Sequence, residues 1–186
     1  MRPLFRDSAS WSWPNLFVAL GFAMSLATGG APVRPAAAET GPEIISGEAR
    51  VIDADILVVA GRRVILWGID SPERSQTCTQ DSTPFDCYNT AKRALETMAG
   101  RGPVQCTLTG EPDPFGRRYG VCNLGADDLG AEMVKQGMAL AFSEQSDDYA
   151  DLQLQAITDG VGLWQPGVVF LEPWEWRRSR TPGGFR

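Results

Sequence analysis

Residues 51–73, VIDADILVVAGRRVILWGIDSPE, leave this chain few ways to fold. Two short apolar runs with β-branched residues lie on either side of Ala60-Gly61, a turn-forming pair. They predict an antiparallel hairpin with strands near residues 56–59 and 63–67. A hairpin brings its ends together, so Asp55, at the start of the first strand, comes back beside Asp70 and Glu73, which follow the second. Three carboxylates gathered near one point suggest a hard cation. Further on, Asp113-Pro114-Phe115-Gly116-Arg117 forms the tip of a second hairpin. Its guanidinium is the partner that a phosphodiester bound to such a cation needs.

The 186 residues include no histidine. Ser-His-Asp triads, Cys-His dyads, H-E-x-x-H zinc sites and histidine general bases are therefore excluded from the chain. Carboxylate, Arg, Lys, Tyr, Ser and Cys chemistry remains, with or without a hard metal.

The N-terminus reads as an export signal over residues 1–38. Arg2 and Arg6 form its polar start, residues 16–27 its apolar run, and Ala36-Ala37-Ala38 its cleavage motif. The apolar run is shorter than the ~20 residues a membrane-spanning helix needs, and Gly29, Gly30 and Pro32 follow it. No stable membrane insertion is expected after processing, and the mature protein is expected to be periplasmic or secreted. Export makes the four cysteines readable as disulfides. Cys106 and Cys122 lie symmetrically about the second hairpin's turn, and Cys78 and Cys87 bracket the loop after Glu73. The expected pairs are therefore Cys78 with Cys87 and Cys106 with Cys122. A four-thiolate zinc knot is the alternative, but neither pair has the close spacing of structural zinc sites.

Removal of residues 1–38 takes Arg2, Arg6, Arg34 and Asp7 from the 17 basic and 23 acidic residues, leaving 14 and 22, a net charge of −8. Affinity for a polyanion rests on Lys and Arg contacts with phosphate, so any such contacts must be local here. Basic residues cluster at Arg62-Arg63, at Arg117-Arg118 and in the tail, where Arg177, Arg178, Arg180 and Arg186 read as a frayed, solvated terminus.

Residues 39–46 read as a flexible lead-in. Strands are expected near residues 47–52, 56–59, 63–67, 104–109 and 118–123. A helix carries Ala91, Ala94, Leu95 and Met98 on one face and ends at Gly100. Asp128 caps a second over residues 129–136, and Asp147 or Ser146 caps a third over about 148–159. The expected fold is α+β dominated by β, a five-stranded barrel of the oligonucleotide/oligosaccharide-binding (OB) type with about three helices. Its domain spans residues 47–178, with a disordered basic tail over 179–186.

Four segments, in this order and spacing, resemble the staphylococcal nuclease-like (thermonuclease) family. VIDAD is similar to the family's I-D-G-D-T opening and GIDSPE to its D-x-P-E turn. DPFGR is similar to its D-x-Y-G-R hairpin, and Tyr149 with Gly162-Leu163-Trp164 to its Y-to-G-L-W terminal helix. The resemblance implies Ca²⁺-dependent cleavage of DNA and RNA, with single-stranded nucleic acid as substrate and a monomeric enzyme. It implies Asp55 and Asp70 as metal ligands, with the Ser71 main-chain carbonyl as a further oxygen. Glu73 becomes the base that positions or deprotonates the attacking water, and Arg117 the guanidinium that faces the phosphate. Taken singly, Asp55 also fits the polar side of an alternating strand, and Asp70 to Glu73 fit a helix capping box.

The sequence departs from the family at the site itself. Ile65 stands where the family strand carries an active-site Arg, Ile56 replaces the Thr after the first metal Asp, and Ala54 replaces the Gly before it. Phe115 stands in place of Tyr. Loss of an arginine that clamps a phosphoryl group costs roughly 10³- to 10⁵-fold in rate, so weak activity is expected. Arg63 shares a strand face with Ile65 and offers a partial substitute. The alternative function is a catalytically retired OB-barrel that binds nucleic acid, oligosaccharide or a protein partner.

Overall fold

The computed structural model of the chain describes residues 41–181. The export segment and residues 182–186 of the basic tail lie outside the described residues. The first hairpin forms where the sequence places it. Strands β1 (Ile44–Gly47), β2 (Ala49–Asp53), β3 (Ile56–Val59) and β4 (Arg62–Leu66) follow one another closely. The β3–β4 turn uses Ala60 and Gly61, both with positive φ (48° and 76°), the backbone that matches the natural twist of two paired strands. Alternation then sorts the side chains. Leu57, Val59, Val64 and Leu66 are buried in the core, while Ile56 and Ile65 are paired with each other on the opposite face.

Four very short strands come next in the fold: β5 (Ile69–Asp70), β6 (Cys78–Gln80), β7 (Thr83–Phe85) and, much later, β12 (Val168–Val169). Between them run β8 (Val104–Thr109), β9 (Arg118–Leu124), β10 (Asp127–Asp128) and β11 (Leu140–Ala141). The main sheet has the order β1-β8-β9-β4-β3-β2, with β10 added to β9; β11 pairs with β5, and β12-β6-β7 form a third small sheet. Within the main sheet, β4 and β9 run parallel and the other neighbours antiparallel.

The helices are α1 (Cys87–Ala99), α2 (Leu129–Lys135), α3 (Ala150–Asp159) and α4 (Pro173–Arg180), with a 3₁₀ turn over Gly162–Trp164. Ala91, Leu95 and Met98 of α1 and Leu129, Met133 and Val134 of α2 close the core over the sheet. Asp128 caps α2 as expected, accepting from the Gly130 and Ala131 N–H groups. The cap expected for α3 does not form. Its first turn follows Tyr149, whose hydroxyl is used elsewhere, and Ser146 Oγ accepts from Asp148 instead.

The architecture is α+β of the expected kind, with three corrections. The β-ladder does not close into a barrel among the described residues, because β1 and β2 stand at its two ends. The lead-in is not wholly loose: Ile44–Gly47 pairs with β8 because Ile45 packs on the core. There are four α-helices among the described residues, not three. The fourth runs from the end of the expected domain into the expected tail, started by buried Pro173 and carrying Arg177, Arg178 and Arg180 in its last turn, where the helix dipole favours cations.

Two disulfides hold this frame. Cys106 and Cys122 are register partners on β8 and β9, and Cys78 and Cys87 tie β6 to the first residue of α1. No helix among the described residues is long and apolar enough to cross a membrane.

Candidate active site

Asp55 lies in the two-residue turn between β2 and β3, where Asp53 and Ile56 are register partners. The Leu66 N–H donates to the Asp55 carbonyl at 2.9 Å, so the end of β4 is fastened to that turn. Four residues later β5 ends on Asp70, opposite Leu140 of β11. The Ser71 hydroxyl donates to the Ala54 carbonyl at 3.3 Å, which holds the Asp70-Ser71 corner against the turn that carries Asp55. Asp70 and Ser71 are both buried. The residues that follow form no helix, so the capping-box reading of Asp70 to Glu73 is not realised. The Glu73 N–H donates to Gln76 Oε1 at 2.9 Å, and the Gln76 N–H donates back to the Glu73 carbonyl at 2.8 Å.

The second hairpin tip aims Arg117. Asp113 Oδ1 accepts from the Phe115 and Arg117 N–H groups, Gly116 takes φ 72°, and Asp113 Oδ2 accepts from Arg117 Nε at 2.6 Å. Burial pushes the Asp113 carboxyl up, but the Arg117 and Phe115 donors together outweigh it and hold the group below the usual carboxylate range. The guanidinium carbon lies 5.3 Å from the centre of the Phe115 ring, so ring packing persists without the tyrosine hydroxyl.

One cavity is lined by Asp55, Asp70, Ser71, Glu73 and Arg117, and by Ile56 and Ile65 as its apolar wall. Every site residue expected from the sequence therefore faces the same space. Arg63 does not line it and is exposed on β4, so it supplies no substitute. Tyr119, the β9 partner of Ile65, joins the wall.

The residue that sequence reasoning missed is Arg177. From α4 its guanidinium straddles Asp70, with Nη1 donating to Oδ1 at 2.9 Å and Nη2 to Oδ2 at 2.7 Å, and Nη1 also reaches Glu73. A signal was present in the sequence: Pro173-Trp174-Glu175-Trp176 has a helix-starting proline and two large aromatics, which a solvated tail does not need. Trp174 packs against Phe142 with ring centres 5.5 Å apart, and Gln76 Nε2 donates to the Leu171 carbonyl at 2.7 Å. Gln76 thus fastens the entry of α4 to the loop of Glu73.

The electrostatics are those of crowded carboxylates. Burial, followed by the charges of Asp70, Asp53 and Glu73, pushes Asp55 up to about 7. Burial also raises Asp70, against the pull of Arg177, while the hydrogen bond that Arg177 donates to Asp70 leads the causes that push Arg177 above its ordinary value. The paired distances are those of a bidentate ion pair.

No three Asp, Glu, His or Cys side chains among the described residues meet closely enough to cage an ion by themselves. Asp53, Asp55, Asp70, Ser71 and Glu73 all line the cavity, and their side chains carry only hard oxygens. That chemistry fits Ca²⁺ with water completing its shell, and does not fit zinc or copper. Asp70, Asp53 and Glu73 surround Asp55 with like charge, so added positive charge is favourable there.

Residues 63–166 match the family model described as staphylococcal nuclease homologue. The chain belongs to the staphylococcal nuclease homologue family. Two curated relatives are similar to it. The succinoglycan biosynthesis protein ExoI of Rhizobium meliloti (strain 1021) is 31% identical over 127 residues, covering 66% of each chain. An uncharacterized endonuclease of Haemophilus influenzae is 34% identical over 119 residues, covering 63% of this chain and 61% of the relative. The match spans just under two thirds of each relative's length. As a staphylococcal nuclease homologue, the chain has a nuclease-like domain, and its two disulfides point to an extracytoplasmic setting.

Proposed function

We propose that this staphylococcal nuclease homologue is an exported, periplasmic or secreted monomer that hydrolyses phosphodiester bonds of single-stranded DNA or RNA with Ca²⁺. The observation that carries the reading is the convergence of Asp55, Asp70, Glu73 and Arg117 on one cavity from three separate chain segments. In this reading Asp55, Asp70 and the Ser71 carbonyl hold the ion, which when bound supplies positive charge to offset that of the phosphate oxygens.

The protein's own residues do the rest. Glu73 accepts a proton from the attacking water as that oxygen bonds to phosphorus. The bond from phosphorus to the leaving sugar oxygen breaks, and a proton from solvent neutralises that oxygen. Arg117, aimed by Asp113, offsets charge on the phosphate as this happens. Ile65 adds an apolar wall and no donor, so activity is low. The −8 charge of the processed chain adds to this, because a polyanion is attracted only at the local arginines.

A second reading, a retired barrel that only binds a partner, draws on Ile65 and on the engagement of both Asp70 oxygens by Arg177. Calorimetry and cleavage of single-stranded DNA and RNA, run together, separate the two. The enzyme reading predicts weak Ca²⁺ binding that is lost in Asp55→Ala, with loss of cleavage in parallel. Undiminished Ca²⁺ binding in Asp55→Ala and Asp70→Ala puts the ion elsewhere.

A further inference from the structure

The cavity contains two guanidiniums and not one. Arg117 comes from the β8–β9 hairpin, while Arg177 comes from α4, more than a hundred residues away in sequence from the carboxylates it touches. Arg177 is not held by chance surface contact. Buried Pro173 opens its helix, Trp174 lies against Phe142 one helical turn before it, and buried Gln76 ties the Leu171 carbonyl to the Glu73 backbone. The side chain lines the cavity and is still about half exposed, so a ligand entering the cavity can reach it.

The partners matter. Arg177 covers both Asp70 oxygens and one oxygen of Glu73, so a cation on Asp70 and a guanidinium on Asp70 compete for the same lone pairs. A proton acceptor bonded to a guanidinium is also a poor base until that bond is released. When a divalent ion takes Asp70, Arg177 is left with one partner fewer, in a pocket whose four acidic and two basic side chains the ion brings to neutrality. An anionic phosphodiester is the ligand that both charges call for, and a planar guanidinium fits two of its oxygens.

We propose that Arg177 is the second phosphate-facing arginine of the site, stored on Asp70 and Glu73 in the metal-free protein and transferred to the substrate phosphate when a cation takes Asp70. The inference rests on the nuclease reading above and deepens it. It assigns to α4 a charge that the strand position Ile65 does not supply.

The test uses the mature, oxidised protein with Ca²⁺ alone in calorimetry and with single-stranded DNA in cleavage assays. Arg177→Gln removes the competitor and the clamp together, so Ca²⁺ affinity should rise roughly ten-fold while kcat/KM falls about 10²-fold or more. Arg177→Lys keeps a charge without the fork and should fall between wild type and Arg177→Gln on both scales. Ile65→Arg placed in the Arg177→Gln background should recover part of the lost cleavage, because position 65 lines the same cavity. Circular dichroism checks that each variant is folded, and Arg177→Lys carries the test should Arg177→Gln lose its helix.

Unchanged or weaker Ca²⁺ binding in both Arg177 variants overturns the competition. Cleavage that is equal or faster in Arg177→Gln overturns the clamp and makes α4 a plug. If wild type binds Ca²⁺ and cleaves while the Arg177 variants match it, this inference alone fails. If wild type does neither, the nuclease reading fails and takes the inference with it.

Discussion

Arg117 is aimed by its own turn, and that dependence can be measured. Asp113 takes two backbone N–H groups and the Arg117 Nε, so a single carboxylate sets both the bend of the chain and the direction of the guanidinium. Asp113→Ala should leave Ca²⁺ affinity in calorimetry unchanged and lower kcat about 10²-fold, the scale expected when a catalytic group is misplaced by an ångström. A drop in Ca²⁺ affinity of the same size would mean that Asp113 belongs to the ion's own surroundings. This part of the site was legible in the sequence, because turn residues state their geometry locally: Asp113 and Gly116 specify the bend, and Arg117 follows from it. Arg177 was not legible in the same way. Its role depends on packing between Trp174, Phe142 and Leu171, contacts distant in sequence, and a cluster of arginines near a terminus resembles any solvated tail.

Tyr149 links the elements around the carboxylates. Its hydroxyl donates to Asp128 Oδ2 at 2.7 Å, at the N-terminus of α2, and its ring lies over Gly68, which leads into Asp70. Gly68 has φ +75°, and a Cβ there would meet the ring at 2.9 Å, so Gly68→Ala should destabilise the fold and disturb the carboxylate corner. Burial first, and then the bond to Asp128, raises the Tyr149 hydroxyl above its ordinary value, while burial pushes Tyr88 up to about 12. A group whose folded pKa is raised contributes stability below its unfolded value of about 10 and loses it as pH climbs through the folded value. Thermal melts should therefore fall steeply above about pH 10. Tyr149→Phe should cost about 1 kcal/mol at neutral pH and flatten that alkaline fall. An identical alkaline fall in Tyr149→Phe would locate the sensitivity in other groups. At this scale β2, β3, β4, β8, β9 and the first three helices were readable from period, turns and caps, whereas β1, the six strands of two or three residues and α4 were not. An edge strand such as β1 shows itself only by pairing with β8, and Ser146, one of the caps expected for α3, accepts from the Asp148 N–H instead.

At the scale of the molecule, the sheet order leaves β1 and β2 unjoined among the described residues, so the frame around the cavity depends on its cross-links as well as its ladder. The Cys106–Cys122 disulfide spans the β8–β9 hairpin that carries Arg117, and Cys78–Cys87 joins the segment after Glu73 to α1. Hairpin ends, loop and terminal helix thus meet at one place, and a chain with an excess of acidic residues concentrates two of its arginines there. The most direct measurement of the central claim is the rate of single-stranded DNA cleavage by oxidised mature protein in Ca²⁺, compared with chelator and with Glu73→Gln. The account predicts slow cleavage that stops in chelator and falls at least about 10²-fold in Glu73→Gln, with the fold intact by circular dichroism. Cleavage that proceeds equally in Glu73→Gln, or a well-folded wild type that shows none with calcium present, would contradict it.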